Sequence, residues 1–263
     1  MKLMNNIYQK ILEVINSNKK AALCTIVLTK GSTPLKSGAK MLVFEDGSIY
    51  NTIGGGHLEK ITITDAIEVI KSEQPKLFIH ELKSQHEMCC GGSLEIFIEP
   101  IMQKKKMFLF GAGHVGKAIV KHALGLDLEI SVIDSRDEIF NDWDFSGYKK
   151  IVAPFTQILP TLPYDNLTML VIATYDHSID REILAFCMKQ PHYYIGMIGS
   201  KTKVALTKEM FISENIATAK ELEKVDMPIG IDINAVTADE IAISIVAKII
   251  KEKNNISLNN EHF

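Results

Sequence analysis

Apolar positions along the chain recur first with mixed periods and then in a regular alternation of strands and helices. Ile7, Ile11, Val14 and Ile15 share one face at helical spacing and predict an opening helix. Ala21 to Leu28, rich in β-branched residues, predicts a buried strand. Met41 to Phe44 and Ser48 to Ile53 flank Glu45-Asp46-Gly47, a hairpin turn in which glycine tolerates positive φ. Ile63, Ala66, Ile67 and Ile70 mark a second helix, and Leu77 to Leu82 and Leu94 to Ile98 two more strands. This first part, residues 1–102, reads as α+β. Pro100 and the run Gln103-Lys104-Lys105-Lys106 mark a boundary, with 103–106 expected to be a solvated linker.

Beyond it, strands alternate with helices. Met107 to Phe110, Glu129 to Ile133, Met169 to Ala173 and Tyr194 to Ile198 predict buried strands, and Val115 to Leu124 a helix between the first two. Such βαβ units predict an α/β region at 107–253, a Rossmann-like doubly wound domain with a parallel sheet. Its last helix opens with Thr237-Ala238-Asp239-Glu240, a capping box. Residues 254–263 are expected to form a polar, frayed tail.

Composition narrows the class. Of 263 residues, 46% are hydrophobic and 23% charged, enough to bury cores and incompatible with disorder. The formal net charge of −3 gives no global reason to expect nucleic acid. No apolar run of about eighteen residues occurs, so no membrane span is expected. Asn5, Asn6, Gln9 and Glu13 interrupt what a signal peptide would need as an apolar core, and cytoplasmic residence is the expectation. Four cysteines, two of them adjacent, do not make a disulfide framework.

Gly111-Ala112-Gly113-His114-Val115-Gly116 is a G-x-G-x-x-G between a predicted strand and a predicted helix, with Asp134 ending the next strand. Gly111 permits the tight turn, Gly113 lets a pyrophosphate approach the helix N-terminus, and Gly116 allows close helix–sheet packing. NAD(P) or a related nucleotide is the candidate ligand. Asp134 suits a ribose diol and the nearby Arg136 a phosphate, which leaves the cofactor preference open. His114 reads equally as a ligand contact or a solvent-facing loop residue. Asp176-His177-Ser178 with Asp180, and Ser200-Lys201-Thr202-Lys203, follow predicted strands and read either as ligand loops or as helix caps and solvated loops.

The first part carries two further loops. Gly54-Gly55-Gly56 runs into a helix at His57-Leu58-Glu59 and exposes backbone amides suited to an anion or a flat polar ring. Cys89-Cys90-Gly91-Gly92 places thiols beside glycine amides that could stabilise a thiolate, or else simply buries small residues by a turn. His86 is near, but the absence of C-x-x-C argues against structural zinc. Cys24 and Cys187 read as core. Taken alone, these features describe a two-domain protein binding a phosphate-bearing polar ligand, with a thiol as a possible reactive group.

Several of these motifs, in order along nearly the whole chain, resemble the XdhC/CoxI family of xanthine dehydrogenase accessory factors. They are Gly31-Ser32-Thr33-Pro34 with Gly38-Ala39-Lys40-Met41, Thr52 to Glu59, Cys90-Gly91-Gly92, Gly111 to Val115, Ile195 to Ser200 and Pro228 to Ile233. The resemblance implies a chaperone rather than a metabolic enzyme. It would bind molybdenum cofactor, protect it during sulfuration and help insert it into a xanthine dehydrogenase-type molybdenum hydroxylase. Expected partners are the apo-hydroxylase, a cysteine desulfurase and a second copy in a homodimer. The implied cofactor contacts are Gly54, Gly55, Gly56, His57, Glu59, Cys89, Cys90, Gly91 and Gly92, joined by Gly111, Gly113, His114, Gly116 and Asp134 of the second part. Cys90 is the candidate soft ligand to the metal. The chain departs from the family pattern at His57, Tyr175, Asp226 and Ser200-Lys201-Thr202-Lys203, which lacks the usual arginines. An NAD(P)-dependent oxidoreductase is the alternative reading.

Overall fold

The computed structural model describes residues 6–15, 17, 19–31, 33–81, 92–102 and 104–259. The chain divides into two compact units, Met1–Gln103 and Lys104–Phe263.

The first unit is built on β1 (Ala21–Lys30), β2 (Lys40–Phe44), β3 (Ile49–Tyr50), β4 (Lys76–Glu81) and β5 (Ser93–Ile101), with helices α1 (Ile7–Ile15) and α2 (Gly56–Ser72). The strands form an antiparallel sheet in the order β3-β2-β1-β5-β4. Alternation along β1 decides which helix meets which side chain. Ala22, Cys24 and Ile26 share one buried cluster with Leu58, Ala66, Val69 and Ile70 of α2. Ala21 and Leu23 share another with Ile7 and Val14 of α1. A register shift between Ile26 and Leu28 breaks the alternation and leaves Val27 and Leu28 both exposed.

Pro100 does not end the last strand. It lies inside β5, opposite Ala22 of β1. Its missing N–H is tolerated because β4 pairs β5 only from Ile98 to Ser93, so Pro100 lies past the end of that neighbour.

The second unit holds β6 (Lys105–Phe110), β7 (Leu128–Asp134), β8 (Lys149–Val152), β9 (Met169–Ile172) and β10 (Tyr194–Met197). Its helices are α3 (His114–Ala123), α4 (Phe155–Ile158), α5 (His177–Cys187), α6 (Lys201–Ser213), α7 (Ala219–Leu222) and α8 (Ala238–Asn259). The sheet is parallel throughout, in the order β10-β9-β6-β7-β8. Met107, Leu109, Val132 and Val171 pack with α3 and α8, whereas Phe108, Phe110, Ile133 and Ile172 pack with α5 and α6. Helices on both faces make this the doubly wound Rossmann-like arrangement. Its strand order reverses between β6 and β9, and the carboxyl ends of those two strands flank the place where such sheets bind ligands.

Two expected boundaries move. Lys105 and Lys106 are not linker but the first residues of β6. Lys106 Nζ pairs with Asp165 at 2.5 Å, and Lys105 Nζ donates to the Lys253 carbonyl at 2.7 Å and lies 4.4 Å from the Tyr193 ring. Long side chains let these lysines start a buried strand while their charges reach partners at its end. The expected tail from 254 is likewise helical as far as Asn259, because α8 continues through it. The capping box at its start is present: Glu240 accepts from Thr237 N at 3.0 Å, and Glu240 N donates to Thr237 Oγ1 at 3.3 Å.

Candidate functional site

In the first unit the three glycines all take positive φ, at 131°, 79° and 67° for Gly54, Gly55 and Gly56. A Cβ on Gly54 would stand 2.5 Å from Cβ of Pro34, so that glycine lets two loops touch. The loop amides do converge on an anion, and that anion belongs to the chain. Glu59 Oε1 accepts from Gly55 N at 2.9 Å and Ile53 N at 3.3 Å, and also from the Thr52 hydroxyl. Thr52 Oγ1 in turn accepts from Gly54 N at 3.0 Å. Glu59, expected among the ligand contacts, thus closes the loop from the first turn of α2, where a carboxylate also suits the helix dipole. His57 is exposed beside it.

Gly92 immediately precedes β5. Cys89, Cys90 and Gly91, with His86, lie outside the described residues. The other two cysteines are core residues: burial pushes the thiols of Cys24 and Cys187 each up to about 12. Among the described residues no group of three or more His, Cys, Asp or Glu side chains is placed to hold a metal ion.

In the second unit the glycine loop has the expected steric logic. Gly111 has φ 109°, and a Cβ there would fall 2.1 Å from the Ala173 carbonyl oxygen at the end of β9. A Cβ on Gly116 would fall 2.1 Å from the Gly111 carbonyl oxygen. Gly113 caps α3 in an extended conformation, φ −67°, with nothing within 4 Å of a Cβ among the described residues. Space beside Gly113 at a helix N-terminus is what a pyrophosphate needs.

Asp134 is arranged otherwise than a ribose ligand would require. It is fully buried, and both of its oxygens are engaged. Oδ2 accepts from Ala112 N at 2.8 Å and from Arg136 Nη2 at 2.9 Å, while Oδ1 accepts from Arg136 N at 3.0 Å and Nε at 2.9 Å. Burial pushes the carboxyl pKa up, but the hydrogen bonds from Arg136 and Ala112 outweigh it and hold the group below the usual carboxylate range. Asp134 therefore pins the glycine loop to β7. Arg136, whose guanidinium also lies 4.2 Å from the Tyr175 ring, covers the position where a ribose hydroxyl would meet it.

Further along the same sheet edge, two stretches distant in sequence come together. Asp176 caps α5, accepting from Ser178 N at 2.7 Å, and Ser200 caps α6, accepting from Lys203 N at 3.3 Å. The helix-capping reading of Asp176 is realised, whereas Ser200, expected in a ligand or solvated loop, caps a helix instead. One turn on, His177 Nδ1 faces Asp180 Oδ2 at 3.4 Å, and its Nε2 contacts Lys203 Nζ. Asp180 Oδ1 accepts from Thr174 N at 2.9 Å and Thr174 Oγ1 at 2.7 Å. Burial raises the Asp180 pKa in spite of these bonds. Sequence reasoning saw the two stretches but not their union. The His-x-x-Asp spacing, which puts both side chains on one helical face, signals the His177–Asp180 pair alone.

The chain was compared with known proteins. A family model described as the XdhC Rossmann domain matches residues 107–249, and one described as the XdhC and CoxI family matches residues 14–81. YqeB of Escherichia coli strain K12 is 32% identical over 256 residues, which cover 95% of this chain and 47% of that protein. A protein of Bacillus subtilis strain 168 described as a probable xanthine dehydrogenase subunit is 26% identical over 164 residues, 62% of this chain and 47% of that one. The chain thus spans about half the length of the curated relatives it matches. A solved structure of a Bacillus halodurans protein described as a xanthine dehydrogenase shares the fold, with a TM-score of 0.51 and 20% identity over 94% of this chain and 95% of that one.

Proposed function

The chain belongs to the XdhC family, and from that premise we propose that it is an accessory factor for a xanthine dehydrogenase-type molybdenum hydroxylase. In this reading it binds molybdenum cofactor, holds it while its sulfido ligand is installed, and passes it to the apo-hydroxylase. A cysteine desulfurase is the proposed source of sulfur and a homodimer the proposed assembly. The observation that carries the reading is the glycine loop, in which the amides of Ile53 and Gly55 already donate to the Glu59 carboxylate.

A loop whose amides satisfy one anion is chemically fit for another. The cofactor presents a phosphate and a hydrogen-bonding pterin, and the amides around Gly55 would hold such groups once Glu59 turns aside. Bound cofactor would supply the transferable metal and sulfur. The chain's own part is to orient it through backbone amides and to keep it from bulk water. Cys90 is the proposed soft ligand. Among the described residues no helix is long and apolar enough to cross a membrane.

An NAD(P)-dependent oxidoreductase is the second reading, favoured by the strand order and by the open space at Gly113. The engagement of Asp134 by Arg136 weighs against it, because the ribose partner is taken.

Anaerobic titration of the purified chain with released molybdenum cofactor, with pterin read by fluorescence after oxidation, tests the first reading. Stoichiometric binding is expected for the wild type and a loss of about tenfold or more for Cys90→Ala. Glu59→Gln, which weakens the internal competitor, is expected to bind more tightly. Equal binding by the wild type and Cys90→Ala would remove the thiol from the site. No binding by any form, with saturable NAD(P) binding instead, would establish the second reading.

A further inference from the structure

The cluster at the carboxyl ends of β9 and β10 belongs to none of the roles above. Lys203 carries donors only, so the His177 Nε2 it contacts is an acceptor, and the ring proton of the neutral imidazole lies on Nδ1 toward Asp180. Asp180 is 1% exposed, and its Oδ2 faces His177 Nδ1 at 3.4 Å. A buried carboxylate takes the donor that faces it and so fixes where the ring proton lies. The group it faces is His177, whose ring is 43% exposed at the surface. Asp180 thus holds the imidazole in one tautomer and one orientation.

Beside the ring is a pocket of about 210 Å³ bordered by Arg181, Met197, Lys203, Leu206 and Thr207. The pocket is walled by residues from the first two turns of α5 and α6, which begin at His177 and Lys201. Around His177 stand Asp180 and Arg181 on its own helix, Asp176 at the cap of that helix, and Lys203 on α6. Arg181 and Lys203 are the cations that border it, while Asp176 is turned away as a cap and Asp180 is buried behind the ring. That balance favours a dianion over a monoanion. The apolar walls supplied by Met197 and Leu206 suit an organic substituent on it.

We propose that this pocket is a binding site for a phosphomonoester, with one proton taken up by His177 as the ligand binds. Lys203 transfers its hydrogen bond from Nε2 to a phosphate oxygen. The freed Nε2 lone pair accepts a proton from the solvent buffer, and the imidazolium so formed donates to the phosphate while Nδ1–H remains on Asp180. The N–H bond formed at Nε2 replaces the one broken on the buffer acid, and no other covalent bond changes. The site uses neither Gly54-Gly55-Gly56 nor Cys90, so its failure and that of the molybdenum cofactor reading are distinguishable.

Calorimetric titration of the full chain with phenyl phosphate near neutral pH, in two buffers of different ionisation enthalpy, tests it. Saturable one-site binding with close to one proton taken up is expected. His177→Gln should abolish the uptake and weaken binding by about tenfold, and Lys203→Met should weaken it about as much, in line with loss of a charge-assisted hydrogen bond. Both side chains are at the surface, and an unchanged thermal transition confirms that the variants fold. The absence of saturable binding, or binding without proton uptake, would overturn the proposal. So would equal affinity for benzoate, or a loss on Gly113→Ala matching that on His177→Gln, which would put the anion at the glycine loop.

Discussion

Gly111→Ala is expected to destabilise the second unit by about 4 kcal/mol, whereas Gly113→Ala, two residues on, costs at most about 1 kcal/mol. At Gly111 two penalties add. A side chain at φ 109° is strained by about 1–3 kcal/mol. The new methyl would also fall 2.1 Å from the Ala173 oxygen, 2.6 Å from its carbon and 2.8 Å from Thr174 Cα. Those atoms are backbone, tied to β6 by the Ala173 N–H donating to Phe110 O at 2.8 Å, so relief requires separating strands. Overpacking of this kind adds about 1–3 kcal/mol. At Gly113 the backbone is extended and the space is open, which leaves only the lost preference for glycine over alanine at a helix cap. The chain's single tryptophan, Trp143, reports on this unit alone. It lies 5.1 Å from Phe140, 5.2 Å from Phe145 and 4.9 Å from Tyr148. Thermal unfolding followed by its fluorescence should show a transition about 10 °C lower for Gly111→Ala and nearly unmoved for Gly113→Ala. A Gly111→Ala transition within a degree or two of wild type would contradict the close approach described.

The second large effect is at Asp134. Asp134→Ala leaves the Ala112 amide and the Arg136 guanidinium without their buried acceptor, and about 3 kcal/mol of stability is expected to go with it. The pH dependence has a definite sign. The folded-state pKa of Asp134 lies below the usual value of 3.8, so in acid the unfolded chain binds the proton first. Its contribution is therefore complete above about pH 4 and is lost as pH falls through the depressed folded value. Asp180, whose pKa is raised, acts oppositely, and ionising it as pH rises from the usual value through the raised one removes stability. Urea unfolding across the acid range should thus show a flatter decline below pH 4 for Asp134→Asn than for wild type. Parallel declines in the two proteins would show that the carboxylate is not what fixes the loop.

How much of this was legible follows from what each signal depends on. The strands β6, β7, β9 and β10 are buried on both faces and read as short apolar runs, so the parallel sheet was evident from Met107, Val132, Leu170 and Ile195 onward. Strand β8 was not, because Lys149 and Lys150 at a sheet edge make half of it polar and exposed. The glycines of the Rossmann loop were legible since their role is steric and local. The engagement of Asp134 was not, because it depends on how Arg136 folds back after the strand ends. Glu59 carried a signal, an acid four residues after Gly55, but whether it meets a ligand or the loop is decided by the turn. The joining of His177 to Lys203 depends on β9 and β10 being neighbours, and no local pattern states that.

The depth of Cys24 and Cys187 has a kinetic consequence. Thiol reagents and oxidants attack the thiolate, and at pH 8 a thiol with its pKa near 12 is ionised in about one molecule in ten thousand, against about a quarter of an ordinary exposed cysteine. Both sulfurs are also walled off from reagents, so each has two reasons to react slowly. Of the four cysteines in the chain, the native fold removes two from sulfur chemistry. In a time course of alkylation on the folded protein, any rapid phase therefore belongs to Cys89 and Cys90, and the slow phase measures how often the two cores open.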